Sequence, residues 1–359
     1  MKISDIPATT LARLRRGMVI PALPLALDAA RRFSPRHQRG LVRYYLDAGA
    51  GGIAAGVHTT QFEIRAPEHH LFAPVLRVAV EAIDRHPVAG TPPPLKVAGV
   101  CGKTDQALRE AELARSLGYH ACLLSLAALQ DAGLPELVAH CRALAACMPV
   151  IGFYLQPAAG GRLLPYAFWR QFAEIENVLA IKIAPFNRYQ TLDVIRAVCD
   201  AGREDDITLS TGNDDNILLD LLTPYAIVTS RGKKRVRIKG GLLGHWAVWT
   251  RTAVQLLEDI HALAEGNAPI PPAMLTLAAQ ITDCNAAFFD AANGYRGCIA
   301  GLHEVLRRQG LLEGLWCLDE RETLSAGQLE EIDRVYRAHP HLNDDDFVRE
   351  NLDAWLNGP

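Results

Sequence analysis

The sequence has no excess of charge of either sign: 37 Lys and Arg stand against 40 Asp and Glu in 359 residues, a formal charge of −3. No global field therefore attracts nucleic acid or an anionic membrane. No apolar run approaches the roughly 18 residues of a membrane span, because Pro, Asp or Arg interrupts each one. The first stretch, MKISDIPATTLARLRRG, lacks the apolar core of a secretory leader, so a cytoplasmic setting is expected. The eight Cys, at 101, 122, 141, 147, 199, 284, 298 and 317, include no C-x-x-C pair. Most sit among apolar neighbours, as reduced buried thiols do. Two histidine pairs, His69-His70 and His339-Pro-His341, lack the spacing of a zinc site, so no metal is expected. No G-x-G-x-x-G follows the chain's first strand, which argues against a bound dinucleotide. Solenoid repeats and low-complexity segments are missing too.

What is present is an ordinary globular composition, 49% apolar and 21% charged, with ample material for a core. GMVIPALPLAL reads as a strand. SPRHQRGLVRYYLDAG follows as a helix, with Ser34 as N-cap and Pro35 at its first position. GGIAAGV, KVAGVC, YHACLLSL, PVIGFYL, NVLAIKIA, DITLST and YAIVTS read as seven more short strands, each followed by a helical stretch. The second helix, APEHHLFAPVLRVAVEAIDRH, is expected to be interrupted at Pro74. After the eighth strand a long helix is expected from about Gly244 to Gly266. Strands apolar on both faces that alternate strictly with helices imply parallel pairing with right-handed crossovers. Eight such units favour an α/β (β/α)8 TIM barrel over an open sheet. The barrel is expected over 1–266. A helical segment over 267–359, four additional C-terminal α-helices, is expected to pack on its wall.

A barrel of this kind carries its chemistry at the C-terminal ends of its strands. Lys182, in Leu-Ala-Ile-Lys-Ile-Ala, is flanked on both sides by apolar strand residues. Burial there would lower its amine pKa and free the lone pair for attack on a ketone; the bland alternative is a rim lysine that reaches water. Tyr154 closes the neighbouring strand, where a phenol would suit proton transfer to and from an imine; a core tyrosine is the bland alternative. Six of the nine residues 231–239 are Lys or Arg. They would either draw an anionic substrate to the barrel mouth or form a solvated hairpin.

The ordered set VIPALPLAL, GGIAAGVHTTQFEI, VIGFYLQP with Tyr154, and VLAIKIA with Lys182 resembles the dihydrodipicolinate synthase/N-acetylneuraminate lyase family, the class I pyruvate aldolases. The likeness runs over roughly residues 17–300. It implies that Lys182 forms the Schiff base and that Tyr154, at the family's spacing, is the acid/base. TLSTGNDD is similar to the family's Gly-Asp segment and makes Gly212 a substrate-binding position. The family's Gly-Thr-Thr-Gly-Glu signature is replaced by Gly56-Val57-His58-Thr59-Thr60-Gln61. Thr59 and Thr60 would hold the keto-acid carboxylate, and His58 would be an accessory base. Ser125-Leu126-Ala127-Ala128 stands where dihydrodipicolinate synthases carry a second tyrosine. Ala159 stands where they carry an arginine, with Arg162 nearby. Lysine biosynthesis is therefore not the expected function.

The resemblance thus implies a lyase that joins Lys182 to a 2-oxo acid, with no cofactor because the imine is itself the electron sink. A sugar-acid dehydratase working through the same imine is the alternative within enzymes. A catalytically inactive ligand-binding barrel is the alternative outside them. The expected partner is a small 2-oxo acid, with no nucleic acid and no membrane, and the family's habit implies a homo-oligomer, dimer or tetramer.

Overall fold

Eight parallel strands form one cylindrical sheet in the computed structural model, which describes residues 1–358 apart from the side chain of Ala159. They are β1 (Val19–Pro21), β2 (Gly52–Ala55), β3 (Leu95–Val100), β4 (Ala121–Leu124), β5 (Val150–Leu155), β6 (Val178–Ala184), β7 (Thr208–Thr211) and β10 (Gly240–Leu243). Each pairs with its neighbour in the order β1-β10-β7-β6-β5-β4-β3-β2. The seam between β1 and β2 is closed by a parallel bridge between Ala22 and Ala54, with Gly51 N–H donating to Val19 O and Leu23 N–H to Ala54 O, both at 2.9 Å. The expected TIM barrel is thus the observed architecture.

The eighth barrel strand is not the expected one. Tyr225–Thr229 (β8) pairs antiparallel with Gly232–Val236 (β9) as a separate hairpin, and Gly240–Leu243 completes the cylinder. Burial explains the choice. Tyr225–Thr229 alternates between half-buried and exposed, as a two-stranded ribbon does, whereas all four residues of Gly240–Leu243 are buried. The long helix accordingly starts at Thr250 rather than near Gly244. The hairpin lies between the end of a helix and the start of a barrel strand, so it sits at the end of the barrel opposite the mouth. The basic stretch 231–239 is therefore a hairpin strand and its exit, remote from the mouth it was weighed to serve.

The crossover helices are α2 (Pro35–Asp47), α3 (Phe72–Arg85), α4 (Thr104–Ser116), α5 (Leu134–Cys147), α6 (Tyr166–Phe172), α7 (Arg188–Ala201), α8 (Ile217–Leu222) and α9 (Thr250–Glu265). A helix before the barrel, α1 (Ala8–Arg16), had no counterpart in the sequence reading. Its Leu14, with Ile6, joins the inner core made by Ile20, Val97, Leu123 and Ile151, so the N-terminal segment stoppers the cylinder from below. Ser34 and Pro35 open α2 as expected. Pro74 does not interrupt α3. It falls in the helix's first turn, where its missing N–H has no intrahelical acceptor to lose.

Four helices follow: α10 (Pro272–Phe288), α11 (Cys298–Arg308), α12 (Gln328–Ala338) and α13 (Asp345–Asn357). α13 packs on α2, and α10 on α8. Polar clamps fix the first contact. The Tyr44 hydroxyl donates to Asp344 at 2.7 Å and accepts from Thr250 N–H at 2.8 Å, and the Trp355 indole N–H donates to Asp47 at 2.6 Å. Among the described residues no helix is long and apolar enough to cross a membrane.

Candidate active site

Lys182 is set by strand alternation. Ile181 and Ile183 face the outer core between sheet and helices, so Lys182 faces into the cylinder. Its side chain is buried and lines a cavity of about 230 Å³ at the C-terminal mouth. Gly212, at the end of β7, makes room for it. A Cβ there would stand 2.7 Å from Lys182 Cε and 2.8 Å from Ala184 Cβ. Gly212 thus shapes the cavity by its missing side chain.

Among the described residues no carboxylate lies within ion-pair distance of the Lys182 amine. Burial lowers its pKa, opposed by the more distant charge of Asp214. Asp214 lines the same cavity, and its Oδ1 accepts the His245 backbone N–H at 2.9 Å. Burial raises its pKa, opposed by the Lys182 charge and that amide. His58 also lines the cavity, and burial, aided by the lysine charge, pushes its imidazole down to about 4. At neutral pH His58 is uncharged. Amine, carboxyl and imidazole thus share one small space, with burial disfavouring the charged form of each.

The structure does not bring Tyr154 to this group, which corrects the expectation from spacing. In the β5–β6 register Phe153 pairs with Lys182 and Tyr154 with Ile183. Tyr154 therefore faces the helix layer, where its ring meets Trp169 at 5.4 Å and its hydroxyl accepts Leu164 N–H at 3.2 Å. Phe153 takes the inward place, its ring centroid 4.5 Å from Lys182 Nζ. Strand parity decides this: two adjacent strand residues cannot face the same side.

The two threonines divide as well. Thr59 lines the cavity, while its hydroxyl donates to Ala22 O at 2.8 Å. The buried Thr60 hydroxyl donates to Leu23 O at 2.6 Å and accepts Val57 N–H at 3.2 Å. Thr60 is thus a structural stitch to the end of β1, which corrects its expected place on the carboxylate. The turn itself is pinned by Arg65, which reaches Glu110 at 3.0 Å, Gly56 O at 3.0 Å and Gly99 O at 2.9 Å. Arg162 is engaged by the carbonyls of Leu129 and Ala132.

The sequence reading missed a whole side of the cavity. Phe289, Gly294, Tyr295 and Arg296, from the link between α10 and α11, and Cys298, which opens α11, line it together with Lys182. The helical segment was expected on the barrel wall; its helices are there, but this link crosses the mouth. Two glycines in Asn-Gly-Tyr-Arg-Gly were the available signal of a tight turn between helices. Nothing local said where the turn would lie.

Fold and cavity together define a TIM-barrel protein with a buried amine at its C-terminal face. The chain belongs to the dihydrodipicolinate synthetase family, whose sequence profile matches residues 16–224. Solved structures share the fold at low identity. A prophage protein from E. coli K12, YagE, of the dihydrodipicolinic acid synthase family and in complex with pyruvate, is 16% identical with a TM-score of 0.69; the match covers 90% of this chain and 97% of that one. Dihydrodipicolinate synthase from Oceanobacillus iheyensis is 15% identical with a TM-score of 0.70, covering 92% and 99%. N-acetylneuraminate lyase from Fusobacterium nucleatum is 14% identical with a TM-score of 0.68, covering 90% and 99%. No curated protein matches the sequence.

Proposed function

We propose that the protein is a lyase of the class I aldolase type, in which Lys182 forms an imine with a pyruvate-type 2-oxo acid. The observation that carries this reading is the Lys182 amine itself, buried in a cavity at the C-terminal mouth with no carboxylate in ion-pair contact among the described residues. A lowered pKa supplies neutral amine near pH 7, and neutral amine adds to a ketone. Family membership and the complex of the prophage relative with pyruvate support the same reading.

The steps balance with this chain's own groups. The amine adds to the keto carbon, and the carbinolamine loses water to give an iminium. The iminium withdraws electrons, so a proton leaves C3 and an enamine forms. The enamine bonds to a carbonyl carbon, or the reverse sequence cleaves that bond, and water then hydrolyses the iminium to release the amine. Asp214 and His58, which line the same cavity as the amine, carry the proton transfers that Tyr154 was expected to perform. The turn at His58 and Thr59 receives the substrate carboxylate through its backbone N–H groups, since the Thr59 hydroxyl already donates to Ala22 O. This chemistry calls for no cofactor, because the iminium holds the electron pair.

The proposal includes a cytoplasmic homo-oligomer, and a division into a barrel over 1–266 and a helical segment from 267 onward. Incubation with pyruvate and borohydride tests the core of it. A stable adduct on the Lys182 peptide, abolished by Lys182→Ala, is expected. Lys182→Arg should also fail, since a guanidinium stays protonated. No adduct with any 2-oxo acid would make the ligand-binding barrel the better reading.

A further inference from the structure

We propose that the carbonyl compound joined to, or released from, the 2-oxo acid carries a single aromatic ring, seated against Phe186 and Tyr295. This rests on the imine reading above and adds the identity of the distal group.

Aromatic side chains line the cavity beside the amine, Phe153, Phe186, Phe289 and Tyr295. Phe186 follows β6, two residues past its end, while Phe289 and Tyr295 come from the link that crosses the mouth. The rings of Phe186 and Tyr295 meet edge-on, with centroids 5.9 Å apart at 81°. Both residues stand in the left-handed backbone region, Phe186 at φ +52° and Tyr295 at φ +67°. That region is costly for a residue with a bulky side chain, and such outliers persist where the surroundings enforce them. Here they are enforced. Phe186 N–H donates to Asn213 Oδ1 at 3.0 Å, and Asn213 is itself held by Asp220 at 2.8 Å. Tyr295 N–H donates to Asp290 O at 3.0 Å. Two independent strained turns thus bring two rings together at one mouth.

Much of the lining is poorly suited to a polyhydroxylated tail, although Gln156, Arg296 and the Tyr295 hydroxyl bring polar groups to it. Leu155, Ala158, Ala184, Phe186 and Phe289 offer no side-chain hydrogen bond. The Thr59 hydroxyl already donates to Ala22, and one oxygen of Asp214 already accepts from His245. A sugar-like chain would set part of its hydroxyls against these apolar walls, where a ring packs without leaving a polar group unpaired. The size is sufficient. A cavity of about 150 Å³ holds benzene. The one here, about 230 Å³, leaves room for a three-carbon oxo acid beside one ring.

In the synthetic direction, C3 of the Lys182-bound enamine attacks the aldehyde carbon. One C–C bond forms, the carbonyl pair moves to oxygen, and that oxygen takes a proton. Water then frees the amine and a 4-aryl-4-hydroxy-2-oxo acid. Cleavage is the exact reverse in atoms and electrons.

The test pairs pyruvate with benzaldehyde or with glyceraldehyde and follows product by mass spectrometry, with borohydride trapping of pyruvate as a separate readout. The expected kcat/KM for benzaldehyde exceeds that for glyceraldehyde by about tenfold or more. Phe186→Leu and Tyr295→Leu, which keep bulk and remove the ring, should lower the benzaldehyde value about tenfold more than they lower trapping. Melting curves confirm that each variant is folded. Preference for glyceraldehyde, or equal losses in both readouts, would overturn the proposal while leaving the imine reading in place. Failure of pyruvate to trap at all would overturn both.

Discussion

Replacing Gly212 by alanine should disable the amine without unfolding the barrel. The added Cβ would lie 2.7 Å from Lys182 Cε, 2.9 Å from Lys182 Cγ and 2.8 Å from Ala184 Cβ. Ordinary carbon contacts begin near about 3.5 Å, so each neighbour must give way by roughly 0.6–0.8 Å. Ala184 cannot rotate its methyl aside, which leaves the lysine side chain as the part that moves. Gly212 does not have a positive φ, so the effect is one of space and not of backbone strain. Overpacking of this size costs about 1–3 kcal/mol, a melting shift of several degrees at most in a chain this long. A misplacement near 1 Å costs a reacting group on the order of 10²-fold. The expected result is therefore a rate of borohydride trapping with pyruvate lowered about 10- to 100-fold, with a cooperative melt only slightly below that of the wild type. Wild-type trapping in a folded Gly212→Ala protein would refute the reasoning, because the amine's place would then not depend on the gap.

Trapping should also report the titration of the amine. Burial lowers the Lys182 pKa, so the trapping rate should rise with pH and level off well below the ordinary lysine value near 10.4; a rise confined to pH above 10 would contradict this. His245, buried and pushed down to about 4, binds fewer protons folded than unfolded. Its contribution therefore falls as pH drops from about 6.5 toward 4, by about 1.4 kcal/mol per pH unit. His245→Phe should flatten the acid limb of a melting-temperature profile, and an unchanged slope would count against the assignment. Glu110 is buried against Arg65 at 3.0 Å. Glu110→Ala should cost about 3–5 kcal/mol by stranding a buried guanidinium, measured by urea unfolding, and should loosen the turn that carries His58. Replacing Lys233 and Arg235 with alanine should leave both the trapping rate and its salt dependence unchanged, because the hairpin lies at the far end of the barrel; a steeper loss at low salt would restore a steering role.

The sequence by itself determined the alternation of elements, and with it the barrel. Short apolar strands and amphipathic helices are local patterns, and a Ser-Pro start such as Ser34-Pro35 is readable from two residues. It also determined that Lys182 faces opposite to Ile181 and Ile183, since that follows from the period of a strand alone. Everything that depends on a distant partner was decided by the tertiary structure. Tyr225–Thr229 is as strand-like as any segment of the chain, yet Gly240–Leu243 closes the cylinder, because the gap beside β7 must be filled by residues buried on both faces. Tyr154 has the family's spacing to Lys182, but spacing along the chain does not set parity. The register between β5 and β6 shifts at Val150/Ile151, and pairing then hands the inward place to Phe153. Thr59 and Thr60 look alike in sequence and part only where the carbonyls at the end of β1 take their protons. The rings of Phe289 and Tyr295 reach the cavity from more than a hundred residues beyond Lys182, placed there by helices docked on the barrel's outside. Local propensity writes the elements. Which side chains share a cavity is settled by register and docking, and both are set by the burial of surfaces far apart in the chain.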